Sequence, residues 1–302
     1  MKSFPFVRSF GLSLVAAIFG VFMFISCKTE EAPKAKNIVE TALADPQFTT
    51  LVAALQKAEL TGTLSGTGPF TVFAPNNAAF VKAGVTDLSK ISKEDLSKIL
   101  LDHVLGANVL AANVMSGKAT TAGTRDIYLS KNASGVFING KIKVTTADVP
   151  TANGTIHIID DVIMQPTQNI VQIAMANPNF KTLVSLVNQA DLGATLSGGA
   201  YTVFAPTDAA FTELFKTVDP ATLTKKQISD ILLYHVLPGR VFSTDLVNGA
   251  SVQTALMTGK VTIDLSSGAG IKATAGAVSK VSSADLLATN GVIHVIDKVL
   301  IP

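Results

Sequence analysis

After Pro46, apolar residues fall at helical spacing: Phe48, Leu51, Val52 and Leu55 make one stripe. After Pro178 the stripe returns as Phe180, Leu183, Val184 and Val187. Asp45-Pro46 and Asn177-Pro178 each place a capping side chain before a proline at the first helical position. "FTVF" from Phe70 predicts a short buried strand stopped by Pro75, and "YTVF" from Tyr201 predicts its counterpart, stopped by Pro206. Asn76 or Asn77, and Thr207 or Asp208, are placed to cap a short helix after each. Ser92 with Asp95, and Thr224 with Gln227, have capping-box spacing and open one more helix apiece. The period then changes to two. Val136 and Ile138 precede Asn139-Gly140, and Ile142 and Val144 follow it, which predicts a hairpin with a two-residue turn. The strand from Thr155 alternates as well, with Ile156, Ile158 and Asp160 on one face and His157, Ile159 and Asp161 on the other. Helices lead and strands follow, the order of an α+β domain.

The elements occur twice because the chain is written twice. "NIVETALADPQF" at Asn37 returns as "NIVQIAMANPNF" at Asn169, "ILLDHVL" at Ile99 as "ILLYHVL" at Ile231, and "TIHIID" at Thr155 as "VIHVID" at Val292. Blocks in one order at nearly one offset define two copies of one domain, 37–166 and 169–302, and the period is far too long for a solenoid. The second copy carries about five extra residues between its Tyr-His block and its last strand.

"TVFAPNNAAF" and "TVFAPTDAAF", "NGTIHIIDDVIM" and "NGVIHVIDKVLIP", and "LLYHVL" between them, resemble the signature blocks of the fasciclin domain. The resemblance spans both copies. It implies a β-sheet wedge with helices packed on one side, and an extracellular adhesion or matrix-interaction module rather than an enzyme. In animal fasciclin domains an Asp-aliphatic pair before the last strand, and the Tyr-His motif, are implicated in receptor binding. The resemblance carries that role to Asp285, Leu286, Tyr234 and His235, and in the first copy to Asp148 and Val149. Asp102 stands where the motif has Tyr, beside His103.

Apolar residues make up 48% of the chain and charged residues 15%, a globular or membrane-associated balance rather than a disordered one. The net charge of +2 comes from Lys2 and Arg8, because residues 1–26 contain no acid; the remaining 22 basic and 22 acidic residues cancel. A neutral body without a basic block excludes nucleic acid as the expected partner. Lys2 and Arg8, an uncharged run from Phe10 to Ile25 and then Ser26-Cys27 form a secretory signal pattern over 1–26. "FISC" resembles a bacterial lipobox, in which Cys27 becomes the acylated first residue; an uncleaved helical anchor from Ser9 to Ser26 is the other reading. Residues 27–36 then read as a solvated tether, and Lys28 with Glu30-Glu31 resembles a surface-export signal. The expected location is the bacterial outer membrane or cell surface. Cys27 is the only cysteine, so no intrachain disulfide forms.

The chemistry-bearing residues point away from catalysis. His103, His157, His235 and His294 occupy repeat-equivalent positions with no metal-ligand spacing among them, and His157 and His294, inside apolar strands, are expected to bond buried backbone groups. Asp160 recurs as Asp297, but Asp161 becomes Lys298, which rules out a shared carboxylate pair and leaves a strand-end role for the first Asp. Ser65 and Ser197 lie in "GTLSGTG" and "ATLSGGA", read as glycine-rich loops, and neither matches a nucleophile elbow or a phosphate loop. No cofactor and no metal is expected. The expected partners are a surface or matrix protein or polysaccharide, and the membrane through the lipid anchor; an apolar ligand held between helices and wedge is the alternative.

Overall fold

The Asn37 side chain accepts from the Glu40 amide at 2.9 Å while Glu40 accepts from the Asn37 amide at 2.8 Å, and this reciprocal cap opens α1 (Ile38–Ala44). The structure, a computed structural model, describes residues 34–274, 276 and 278–302. The signal segment and Cys27 lie outside the described residues. Among those described, no helix is long and apolar enough to cross a membrane.

Pro46 opens a single 3₁₀ turn, Pro46–Phe48, capped by Asp45, and α2 (Thr49–Lys57) follows it. Phe48, Leu51 and Leu55 of the expected stripe are buried and Val52 is half-buried. α3 (Thr61–Ser65) occupies the stretch read as a glycine-rich loop; Leu64 turns inward and holds it helical. Then come β1 (Phe70–Pro75), α4 (Asn77–Lys82) capped by Asn76, and α5 (Lys93–Leu101) capped by Ser92. Asp95 answers to the Ser92 hydroxyl rather than to its amide, so the box there is incomplete. The strands are β2 (Val104–Leu105), β3 (Gly117–Thr120), β4 (Asp126–Asn132), β5 (Gly135–Ile138), β6 (Ile142–Thr151) and β7 (Gly154–Ile159).

Copy two repeats the order. Its helices are α6 (Ile170–Ala176), α7 (Lys181–Gln189), α8 (Gly193–Gly198), α9 (Asp208–Leu214, capped by Thr207) and α10 (Lys225–Tyr234, with the full Thr224–Gln227 box). Its strands are β8 (Tyr201–Pro206), β9 (Val236–Pro238), β10 (Ser251–Gln253), β11 (Lys260–Asp264), β12 (Gly270–Lys272), β13 (Val278–Ala288) and β14 (Gly291–Ile296). Longer hairpin loops accommodate the extra residues: 265–269 joins β11 to β12, where Ala133-Ser134 suffices between β4 and β5.

In copy one the ladder runs β2-β1-β7-β6-β5-β4-β3, and copy two has the equivalent order β9-β8-β14-β13-β12-β11-β10. β1 and β7 are parallel, as are β8 and β14, and every other strand pair is antiparallel. β6 belongs to both halves of the ladder. Its register against β7 slips twice between Val144 and Val149, and such bulges bend and twist a strand. The bend folds β4 and β5 back over β1 and β7. Phe73, Ile127, Ile138, Val144 and Ile159 fill the space inside, while Ile156 and Ile158 on the other face meet α1, α2 and α5. The last strand is therefore buried on both faces, and each copy has two apolar cores.

The Asn-Gly hairpin differs from expectation. Ile138 pairs with Ile142, which leaves three residues, Asn139, Gly140 and Lys141, in the turn. Asn139 has φ +51° and Gly140 φ +74°. The Asn139 side chain accepts from the Tyr128 amide at 2.9 Å, and its own amide donates to Tyr128 O at 2.7 Å. That bonding lengthens the loop by one residue.

Candidate functional site

Two imidazoles in each copy join distant parts of the fold, and each uses both ring nitrogens on the backbone. The Asp148 amide donates to His157 Nδ1 at 3.2 Å, so the proton sits on Nε2, which donates to Val109 O at 2.8 Å. His294 repeats this with the Asp285 amide at 3.3 Å and Val241 O at 2.9 Å. Each ring stacks on a strand phenylalanine, Phe73 or Phe204, with centroids 5.6 and 5.5 Å apart. The other pair takes the opposite tautomer. His103 Nδ1 donates to Ile99 O at 2.8 Å, and its Nε2 accepts from the Ile163 amide at 2.9 Å. His235 does the same between Ile231 O and the Leu300 amide, at 2.7 and 2.8 Å. Burial drives the pKa of His103 and of His235 down to about 4, and it lowers that of His294 as well.

Asp160 and Asp297 sit at the ends of β7 and β14. Each carboxylate accepts from a backbone amide across the ladder, Lys143 at 2.8 Å and Lys280 at 2.7 Å. Lys82 adds ion pairs to Asp160 and Asp161, both at 3.3 Å.

The Asp-aliphatic pairs are equivalent in fold and opposite in exposure. Asp148 and Asp285 both hold left-handed backbone, φ +59° and +58°. Asp148 Oδ1 accepts from the Ala111 amide at 2.8 Å. Asp285 Oδ1 accepts from the Ser243 amide at 2.8 Å, and its Oδ2 accepts from the Ser243 hydroxyl. Each caps a 3₁₀ turn. The Asp148 side chain is 42% exposed and that of Asp285 2%. Copy one makes the difference, because its Asn139–Lys141 turn lies on Asp285. A Cβ at Gly140 would stand 2.7 Å from Asp285 Cγ and 2.8 Å from Phe242 Cδ1. Val149 and Leu286 are half-buried against the helix-side cores.

Around that turn the copies form a seam. Ser130 and Thr244 share a hydrogen bond at 2.6 Å, and Asn132 Nδ2 donates to Thr244 O at 3.1 Å. Arg240 Nη1 donates to the Tyr128 hydroxyl at 2.8 Å. The Arg240 guanidinium lies 4.9 Å from the Tyr128 ring centroid, and Phe242 packs against the same ring at 5.7 Å.

Tyr234 and His235, carried into the contact set by resemblance, are 0% and 2% exposed. They offer no surface to a partner. Tyr234 fills the inner core of copy two, where its hydroxyl donates to Lys260 O at 2.7 Å and accepts from the Thr274 amide at 3.0 Å. Asp102 takes that place in copy one and binds Arg125, with Nε to Oδ1 at 3.0 Å and Nη2 to Oδ2 at 2.5 Å. Burial raises the Asp102 pKa, and the Arg125 charge works against the rise. Among the expected contact residues, then, only Asp148 is well exposed. The seam residues Tyr128, Gly140, Arg240, Phe242 and Thr244 were not singled out from sequence. The available signal was the loss of repeat symmetry, Asn108 and Leu110 in copy one against Arg240 and Phe242 in copy two. The apolar cavity between the helices and sheet of copy two holds about 40 Å³. A pocket for a small molecule has roughly 300 Å³ or more.

Two α+β copies, each with a parallel strand pair near one end of a bent ladder and joined by a polar seam, define a tandem-domain protein. The chain belongs to the fasciclin domain family, whose model matches residues 46–165 and 178–302. It is 30% identical over 273 residues to the transforming growth factor-beta-induced protein ig-h3 of Sus scrofa, a match covering 88% of this chain and 39% of that protein. It thus spans about two fifths of that relative's length. Protein sll1483 of Synechocystis is 42% identical over 136 residues, covering 44% of this chain and 75% of that one. A solved FAS1 domain pair from the insect cell adhesion molecule fasciclin I aligns over 85% of this chain and 97% of its own, at 18% identity and a TM-score of 0.43. At that score it lends no weight to the arrangement of the two copies.

Proposed function

We propose that the protein is an exported adhesion or interaction protein, lipid-anchored through Cys27, in which domains 37–166 and 169–302 are held as one rigid pair on a short tether. The observation that carries the reading is the seam. The Asn139–Lys141 turn of copy one seals Asp285, so the copies cannot act as independent beads on a string. The pair then leaves Asp148 of copy one exposed, bonded to the amide next to Leu110, which is itself 40% exposed. The 40 Å³ cavity gives no support to an apolar ligand of lipid size. A cell-surface role also fits a body without net charge, which meets other surfaces without a dominant repulsion.

Two measurements test this. Mass spectrometry of the mature N-terminus is expected to find Cys27 acylated; an unmodified Cys27 or an intact Met1 refutes the anchor. Cells displaying the chain are expected to adhere to envelope or matrix preparations more than cells displaying Cys27→Ala, which releases it. Equal adhesion by the two refutes the adhesive reading.

A further inference from the structure

The seam also borders a space. Between the copies, lined in part by the Gln165-Pro166 linker, lies an open cleft of about 350 Å³. That volume falls at the lower end of small-ligand sites, which run from about 300 to 1,000 Å³. Both copies build it, with Arg125, Tyr128 and Gln165 on one side and Arg240 and Thr289 on the other.

Its lining is polar and the charge in it is uneven. Arg125 is matched by Asp102. Asp126, on the same wall, is held by Thr120 at 2.9 Å and by Lys118 at 3.2 Å. Arg240 feels the Asp126 carboxylate across the cleft but does not bond it: among the described residues it forms no ion pair, and its two bonded nitrogens donate to neutral oxygens of Tyr128 and Thr289. Its Nε is buried and meets no acceptor from the protein. Arg240 as a whole is half-buried, and a guanidinium with no bonded carboxylate is a ready partner for one. The neighbouring groups handle hydroxyls. The Tyr128 O–H accepts from Arg240 and keeps its own hydrogen to donate. Gln165 donates through Nε2 to Asp126 O at 3.3 Å and keeps Oε1 as an acceptor. Leu287 is the half-buried apolar part of the lining, available to the C–H face of a ring.

We propose that this cleft binds one acidic sugar residue, a pyranose bearing a carboxylate, with the carboxylate at Arg240 and the ring hydroxyls at Tyr128 and Gln165. The inference deepens the adhesive reading by giving it a ligand chemistry. Because both copies build the cleft, the site exists only in the tandem pair.

The experiment titrates the mature chain with glucuronate, glucose and a glucuronate-terminated disaccharide by calorimetry. Glucuronate is expected to bind at least about tenfold more tightly than glucose, the scale of one charge-assisted hydrogen bond. A disaccharide that binds more tightly than glucuronate assigns the site to a chain end, and equal affinity assigns it to the free sugar acid; both outcomes uphold the proposal. Arg240→Gln is expected to abolish the preference for the acid. Since Arg240 also touches Tyr128, Gln165→Ala serves as a second variant, expected to weaken binding while melting like the wild type. Glucose binding as tightly as glucuronate, or no binding of glucuronate at all, overturns the proposal. A chain that adheres but ignores glucuronate loses this inference alone, and one that binds glucuronate but does not adhere loses the adhesive reading alone.

Discussion

Replacing Gly140 with alanine perturbs the seam at a defined point. Two costs arise, and the structure allows them to be separated. The first is local: Gly140 has φ +74°, and an L-residue in left-handed backbone costs roughly 1–2 kcal/mol. The second belongs to the seam. The new Cβ would lie 2.7 Å from Asp285 Cγ and 2.8 Å from Phe242 Cδ1, closer than real Cβ contacts come. Neither neighbour yields easily. Asp285 is tied to the amide and hydroxyl of Ser243, and Phe242 packs on Tyr128. Overpacking of this kind costs about 1–3 kcal/mol. Gly84 supplies the control. It lies in the same copy with φ +73°, but nothing stands within 4 Å of its Cβ position. Gly84→Ala is therefore expected to lose only the local part, and Gly140→Ala about 1–3 kcal/mol more in urea unfolding. Hydrogen exchange gives a direct reporter, since the Ser243 amide donates to Asp285. Its protection is expected to fall in Gly140→Ala and to persist in Gly84→Ala. Equal losses of stability in the two variants, with Ser243 protection unchanged, would falsify the contact.

Further expectations concern the buried polar groups. His103 and His235 have folded pKa values of about 4 against an ordinary 6.5, so the unfolded chain binds more protons between those values. Their contribution is complete above pH 6.5 and drains away as the pH falls to about 4, by about 3 kcal/mol for each ring; a melting temperature that stays flat across that window refutes it. Tyr234→Phe strips partners from Lys260 O and the Thr274 amide, and is expected to cost about 1–3 kcal/mol by urea unfolding; an unchanged midpoint counts against the role given to the hydroxyl. Asp285→Ala is expected to cost about 1–3 kcal/mol, and Asp148→Ala, which removes an exposed cap, about 1 kcal/mol or less; the reverse order in thermal melts contradicts the burial difference.

Local grammar made much of each copy legible. Asp45, Asn76 and Thr224 announce their helical turns because capping is decided within three residues. The alternation from Thr155 locates β7, although period two alone gave no sign that both its faces are buried. The Asn139-Gly140 hairpin was legible as a hairpin and not in its length, because Asn139 is held by Tyr128 on β4, a strand outside the hairpin itself. The seam was illegible for a stronger reason. Gly140 and Asp285 lie in different copies, and a glycine carries no side chain to betray what covers it. Tyr234 shows the limit of reasoning from resemblance. A tyrosine beside a histidine suits a contact surface, and only the strands that close over it reveal that its hydroxyl bonds inward to Lys260 O.

A head-to-tail contact between like domains is the geometry that builds open fibres, since every unit added exposes the same acceptor again. The pairing of Arg240 with Tyr128 draws one residue from each copy, and neither recurs in the other. Counting three residues on from the equivalent partners Leu105 and Leu237, the counterpart of Arg240 in copy one is Asn108. Following the strand registers Lys118 to Tyr128 and Ser251 to Thr262, the counterpart of Tyr128 in copy two is Thr262. Copy one therefore has the ring without the guanidinium, copy two has the guanidinium without the ring, and a neighbouring chain finds neither half unclaimed. The two repeats thus meet through positions at which they differ, not through a contact that each copy could offer again.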